Sequence, residues 1–403
     1  MKKILPFVIS LISIFACVED ERPNPASSDK FKVKVIDYLA DNETMYVILH
    51  DSIGTAIDFY PIHNGETVEF DVDKSKDYFV STYTIREGEY GHQEYMSTFT
   101  NRDLTFDMVL EWTESTTPAQ IGTFKVKVTG DEPLGAYVTA EGWMSDFSVY
   151  TNLYDENAKL FSGVNRYMVI ASHGSERRFS FINNPQKDKT YYLDYNQMKV
   201  FDLVLEVPKE DFLFFSYKIL SLDKRDGSNF PNYILGERGF YNAQEDYYKL
   251  EYSSDFKTYV TSITAYKATN QNLYYYYSKI GSPPDKIIFM NIEEVKIAKN
   301  TISDFQFETT VEDAWYYSVG FQSSKSVTNG LPTSRSFIWS INGPASSFSI
   351  TLPEELKEAH PYFLSDLSHL YLGSAGITKK INQSNSESMT EDESISVNQR
   401  FTD

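Results

Sequence analysis

The feature that most constrains this chain is a repeated strand-like block. Phe31-Lys32-Val33-Lys34-Val35 recurs as Phe124-Lys125-Val126-Lys127-Val128. A second block, Phe106-Asp107-Met108-Val109-Leu110-Glu111, recurs as Phe201-Asp202-Leu203-Val204-Leu205-Glu206, in the same order and at nearly the same spacing. Between them Lys76-Asp77-Tyr78-Phe79-Val80 aligns loosely with Lys189-Thr190-Tyr191-Tyr192-Leu193. That alignment needs an insertion in the first half of the second copy and another around Arg86 to Gln93 in the first. Each block alternates apolar and polar residues, the signature of a strand with one face buried. Seven such runs fit the first copy: 31–37, 45–50, 56–62, 67–72, 78–85, 94–100 and 104–112. Turn pairs such as Asp41-Asn42, Asn64-Gly65 and Asp73-Lys74 separate them. Seven short strands with frequent turns describe a β-sandwich of about ninety residues.

The rest of the chain agrees in class. Tyr (30) and Phe (28) are abundant while long helical periods are scarce, and aromatic residues suit pleated surfaces. The expected fold is all-β, built of tandem antiparallel β-sandwich modules. The expected modules are residues 30–114 and 123–211 for the two copies. Residues 212–300 read as a divergent third module and 301–381 as a fourth, Asp304 to Glu308 being the start of another copy; 212–381 reads equally as one larger sandwich. Residues 382–403, rich in Ser, Asn and Glu, read as a disordered tail. Lys plus Arg total 37 against 57 Asp plus Glu, a formal charge of −20. A phosphate backbone is repelled by such a chain, which excludes nucleic acid as a partner.

The N-terminus carries an address. Lys2 and Lys3 precede the apolar stretch Ile4 to Ala16, which is shorter than the ~20 residues a membrane-spanning helix needs. It has the form of a signal-peptide core, so 1–16 are expected to be removed. Ile14-Phe15-Ala16-Cys17 resembles a bacterial lipobox, and Cys17 is the only cysteine of the chain. The resemblance implies lipidation of Cys17 and attachment to a membrane through the lipid, with 17–29 as the tether. The acidic run Val18-Glu19-Asp20-Glu21 is similar to the surface-export signal of Bacteroidota lipoproteins, which implies the outer membrane and its exterior side. The sandwich pattern resembles the immunoglobulin-like and prealbumin-like modules of Bacteroidota surface proteins. That resemblance implies an extracellular ligand.

Catalytic patterns are missing from the sequence. The six histidines (His50, His63, His92, His173, His360, His369) form no H-E-x-x-H or H-x-H pair, and no G-x-S-x-G elbow or Walker loop occurs. The expectation is therefore a binding protein with no catalytic activity and no cofactor. Its ligand is expected to be a glycan; the alternatives are an adhesin or assembly protein that contacts other proteins, and a hydrolase with its active site in 212–380. Asp71, Asp73, Ser75 and Asp77 are spaced like the start of a calcium loop, but Lys76 stands where such a loop turns on Gly, and a polar hairpin turn fits as well. Tyr274 to Tyr277 must alternate on a strand, so Tyr274 and Tyr276 share one face and Tyr275 and Tyr277 the other. With one pair in the core, Tyr274 and Tyr276 are the ligand candidates. Trp143, in the expected insertion of the second copy beside Gly142 and Ser145, is a further candidate. Trp112, Trp315 and Trp339 fall in alternating runs and are expected in the core.

Overall fold

The computed structural model describes residues 30–401 except 89–90, 112–117, 131–134, 141–148, 152–156, 175, 226–227, 242–245, 268–271, 309–310, 312, 324–333 and 384–391. The chain is all-β. It forms four successive units of one topology.

Unit 1 contains β1 (Lys30–Ile36), β2 (Glu43–His50), β3 (Ala56–Ile62), β4 (Thr67–Asp71), β5 (Tyr78–Gly88), β6 (Gly91–Arg102) and β7 (Met108–Glu111). One layer is ordered β4-β1-β7, with β7 parallel to β1, and the other β3-β2-β5-β6. Unit 2 contains β8 (Gln120–Thr129), β9 (Gly135–Ala140), β10 (Val149–Thr151), β11 (Asn157–Phe161), β12 (Arg166–His173), β13 (Glu176–Asn183), β14 (Thr190–Asp194) and β15 (Lys199–Val200). Its layers, β11-β8-β14 and β10-β9-β12-β13-β15, repeat the plan, again with one parallel pair, β14 on β8. The two Phe-Lys-Val-Lys-Val segments thus occupy equivalent strands, β1 and β8.

Unit 3 contains β16 (Leu203–Pro208), β17 (Phe214–Arg225), β18 (Ser228–Tyr241), β19 (Tyr247–Tyr252), β20 (Thr258–Lys267) and β21 (Leu273–Gly281). Unit 4 contains β22 (Ile297–Thr301), β23 (Asp304–Phe307), β24 (Ala314–Ser323), β25 (Ser334–Gly343), β26 (Ser347–Phe348), helices α1 (Glu354–Ala359) and α2 (Pro361–Leu364), β27 (Leu370–Gln383) and β28 (Asp392–Arg400). In unit 3 the first strand pairs antiparallel with the fourth, β16 with β19; in unit 4 an extra strand, β22, comes first, and β23 pairs antiparallel with β26; the other four strands of each form a four-stranded layer. Ring contacts join the layers in each: Phe215 stacks on Tyr248 at 3.9 Å, and Phe305 meets Phe321 edge-on at 6.0 Å.

Three four-stranded layers join edge to edge. The sheet runs β18-β17-β20-β21-β28-β27-β24-β25-β6-β5-β2-β3, twelve strands from units 3, 4 and 1. The seam between units 3 and 4 is antiparallel, β21 on β28. The seam between units 4 and 1 is parallel, β25 on β6. Edge strands carry unpaired backbone groups, and each seam satisfies two such edges at once.

This explains an oddity in the sequence. The β2 stretch Val47 to His50 and the β12 stretch Tyr167 to Ala171 are buried at every position instead of alternating. Such strands are covered on both faces. In unit 1, Val47 and Leu49 join Phe31 and Val33 in the unit's own core, while Ile48 and Tyr83 face the core of unit 4. In unit 2, Val169 and Ala171 pack with Phe124, while Met168, Ile170 and Phe179 join the large common core. Arg177 on β13 ion-pairs with Glu251 on β19 at 2.8 Å, tying unit 2 to unit 3.

Three expectations need correction. Residues 382–403 are no disordered tail: β28 lies in the middle of the large sheet, hydrogen-bonded to β21 and β27, with Ile395 and Val397 buried. The second repeated block is no structural repeat. Met108–Glu111 pairs in parallel with β1, whereas Leu203–Pro208 pairs antiparallel with β19. The boundary at 211 therefore falls inside unit 3, which has already begun at β16; the counterpart of β7 is β14. Trp315, expected in the core, is 41% exposed.

Candidate functional site

The aromatic and hydroxyl-bearing face of the twelve-stranded sheet is the candidate site. On β21, Leu273, Tyr275 and Tyr277 point inward and are buried. Their hydroxyls are satisfied there: Tyr275 donates to Ile292 O at 2.8 Å and Tyr277 to Glu393 Oε1 at 2.8 Å. Tyr274 and Tyr276 stand on the opposite, outer face, half-buried, as the alternation requires. The register places Tyr266 of β20 beside Tyr274, and Asn398 and Ser396 of β28 on their other side. The Tyr266 and Tyr274 rings lie 4.7 Å apart at 35°, and the Tyr266 hydroxyl donates to Asn272 Oδ1 at 2.8 Å. Arg400 lies 4.6 Å over the Tyr274 ring. Burial raises the Tyr276 phenol above its ordinary pKa, and Arg400 partly offsets this.

The outer face continues across the seam. Gly376 and Thr378 of β27 sit opposite Asn398 and Ser396, and Ser318 and Tyr316 of β24 follow. A Cβ on Gly376 would meet Ser318 Oγ at 2.7 Å, so glycine lets the serine lie flat on the sheet. The result is a floor of small residues about 14 Å wide between Tyr276 and Tyr316, at ~4.8 Å per strand. Ser340 and Ile338 of β25 extend it to the seam with unit 1, where the same side of β6 turns into unit 1's own core, Phe99 packing there.

Trp315 reaches solvent because of a bulge. Ala314 pairs with Lys379 and Tyr316 with Thr378, which leaves Trp315 as the extra residue of β24. A bulge re-aims a side chain and shifts the phase of everything before it. Counting back from Phe321, Val319 and Tyr317, Trp315 belongs in the core; the bulge removes it. Its ring lies 5.4 Å from Tyr316, with Lys380 Nζ 4.0 Å away. The alternation was a usable signal for Tyr274 and Tyr276, but a one-residue bulge leaves no mark in the sequence.

A second candidate lies at the seam of units 1 and 4. A cleft of about 510 Å³ is lined by His92, Glu94, Arg335, His360 and Tyr362. His92 has a carboxylate oxygen 2.6 Å from each ring nitrogen, Glu87 on Nδ1 and Glu94 on Nε2. Glu94 is buried and also accepts from the Tyr83 hydroxyl. Burial pushes the Tyr83 phenol far up, and burial lowers His360, whose Nε2 is 3.1 Å from the Tyr46 hydroxyl. Glu94 is thus engaged on both oxygens, an arrangement that joins elements rather than presenting a free acid or base to a substrate.

The same seam holds a buried polar chain. His50 Nδ1 contacts Gly54 O at 3.1 Å, and its Nε2 is 2.8 Å from Ser81 Oγ. Ser81 Oγ is 2.7 Å from Thr98 Oγ1, which accepts from Trp339 Nε1 at 2.9 Å. A carbonyl only accepts and an indole only donates, so with a neutral imidazole the order is fixed. Trp339 donates to Thr98, Thr98 to Ser81, Ser81 to His50 Nε2, and His50 Nδ1–H to Gly54. Each hydrogen is used once, and the imidazole is neutral. Burial lowers its pKa to about 4.

The remaining sequence candidates separate. Cys17, Trp143 and Trp112 lie outside the described residues. Trp339 is fully buried, as the alternation implied. Asp73 Oδ1 accepts from the backbone and hydroxyl of Ser75, and Lys76 lies 3.4 Å from its carboxylate. That is a self-contained turn, and among the described residues no three His, Cys, Asp or Glu side chains gather as cation ligands, Asp71, Asp73 and Asp77 included.

No family model matches the chain. No curated protein matches it. Among solved structures it is similar to the product complex of a multi-modular glycogen-degrading pneumococcal virulence factor, SpuA, at 8% identity, over 60% of this chain and 37% of that one. The TM-score is 0.15, and a likeness of that degree carries no argument about function.

Proposed function

We propose that this is a cell-surface, lipid-anchored protein that binds a glycan on the outer face of its twelve-stranded sheet. The observation that carries the reading is the make-up of that face. Half-buried Tyr266, Tyr274, Tyr276 and Tyr316 and exposed Trp315 border a floor of Gly376, Ser318, Ser396 and Asn398. An aromatic ring takes the apolar face of a sugar, and hydroxyl and amide groups take its hydroxyls. The rings are held by strands of a continuous sheet, so little conformational entropy is lost on binding. Lipidation at Cys17, as the lipobox-like sequence implies, would hold this face outside the membrane.

A glycan array probed with the purified chain tests the reading. Binding to at least one glycan is expected. Tyr274→Ala and Trp315→Ala are each expected to weaken it by about 1 kcal/mol, the scale of one aromatic contact. Absence of binding, or binding indifferent to both substitutions, overturns the proposal.

A further inference from the structure

We propose that the glycan taken by this face is acidic, a polysaccharide with ring carboxylates, and that Arg400 receives a carboxylate beside the Tyr274 ring; this rests on the glycan reading above. The argument is one of charge. The chain carries 57 acidic residues and a net charge of −20. Yet the outward positions of β20, β21, β28, β27, β24 and β25 hold, besides Arg400, Lys380 and Asp392, only hydroxyl, amide, aromatic, aliphatic and glycine residues. Among the described outward residues of these strands the single carboxylate is Asp392, at the far end of β28, and it lies 4.0 Å from Lys380. A chain this acidic that keeps carboxylates off so large a face leaves that face free of repulsion toward an anion.

Arg400 supplies the attraction. It is exposed, stacks on Tyr274 at 4.6 Å and makes no ion pair among the described residues. Arg86, Arg177 and Arg178, in contrast, each hold a glutamate. Stacking fixes the guanidinium plane, and among the described residues no carboxylate meets its edge, which has the geometry to take one through two parallel hydrogen bonds. Asn398 and Ser374 flank it in the register and offer amide and hydroxyl partners to the same sugar. The Tyr274 face and the Arg400 fork together match a ring that is apolar on one side and ionised at its edge. Lys380 lies on the same face, six residues along β27 from Ser374, about 20 Å away.

The test uses the purified full chain in detergent and a panel of polygalacturonate, alginate and hyaluronate, each with its carboxyl-reduced neutral counterpart. At least one acidic polymer is expected to bind about tenfold or more tightly than its neutral counterpart, with affinity falling as salt rises. Arg400→Gln is expected to remove that preference while leaving the melting temperature unchanged, and Arg400→Lys to restore part of it. Binding of a neutral polymer that is lost in Tyr274→Ala but indifferent to Arg400→Gln overturns the acidic assignment and leaves the glycan reading standing. Tighter binding of dextran sulfate than of every uronate polymer also overturns it. Binding of nothing in the panel overturns it as well, and the array then decides the glycan reading separately.

Discussion

Buried His50 makes the stability of this protein depend on pH in a calculable way. Its side chain is fully buried, and burial lowers its pKa from 6.5 to about 4. In the unfolded chain the imidazole returns to the ordinary value, so between these limits the unfolded state binds more protons than the folded one. Stability must then rise with pH across the window. The contribution is complete above about pH 6.5 and is lost as pH falls toward 4. At 1.36 kcal/mol per pKa unit the loss is roughly 3 kcal/mol. The structural reason is the ordered hydrogen-bond chain: a proton on Nε2 faces Ser81 and leaves a hydroxyl hydrogen without an acceptor. His50→Gln removes the titration while keeping an amide donor and acceptor at the same place. Urea unfolding of both proteins at pH 7, 6, 5 and 4.5 isolates the effect, because carboxylates titrate alike in each. The parent is expected to lose stability faster than the variant, by 1–2 kcal/mol at pH 5 and more below. Parallel curves, or a His50 pKa near 6.5 by NMR, would refute the reasoning.

Other expectations follow from the seams. Trp339→Phe leaves Thr98 without its donor, and it is expected to cost about 1–3 kcal/mol in urea unfolding; an unchanged midpoint counts against the buried chain. Gly343 has φ +142, and an added Cβ would lie 2.5 Å from Thr100 O, so Gly343→Ala is expected to destabilise by more than about 1 kcal/mol, read as a lower melting temperature. Removing residues 392–403 takes a strand out of the middle of the sheet and bares the edges of β21 and β27. The shortened chain is expected to aggregate or lose its cooperative melt, whereas an unaltered melt and monomeric elution would show that β28 is dispensable. Glu251→Gln leaves Arg177 buried without its charge partner, and a loss of about 3–5 kcal/mol is expected; a neutral result would remove that pair from the contacts that dock unit 2.

The sequence disclosed what is local. Alternation separated Tyr274 and Tyr276 from Tyr275 and Tyr277, and the Phe-Lys-Val-Lys-Val blocks marked equivalent strands. It failed where the cause lies elsewhere in the chain. Asp392 to Arg400 carries only Ile395 and Val397 as strongly apolar residues, so its composition looks solvated. What makes it a strand is pairing with β21, more than a hundred residues earlier, and with β27. The match of 106–111 to 201–206 misled because any half-buried strand repeats an apolar-polar alternation, and two such strands look alike whatever their partners. Trp315 was misplaced by a single extra residue in β24. The join of units 4 and 1 left a subtler trace: the unbroken apolar run Val47 to Leu49 is what a strand covered on both faces requires, and the cover comes from the last third of the chain.

The central claim is that the outer face of the sheet is the binding surface. Hydroxyl-radical footprinting of the full chain, with and without a bound glycan, reads it residue by residue. Trp315 is 41% exposed on that face, and Tyr192, on β14 of unit 2, is 69% exposed away from it. Bound glycan is expected to protect Trp315, Tyr274 and Tyr276 from oxidation and to leave Tyr192 as reactive as before. Protection of Tyr192 with no change at Trp315, Tyr274 and Tyr276 would contradict the account.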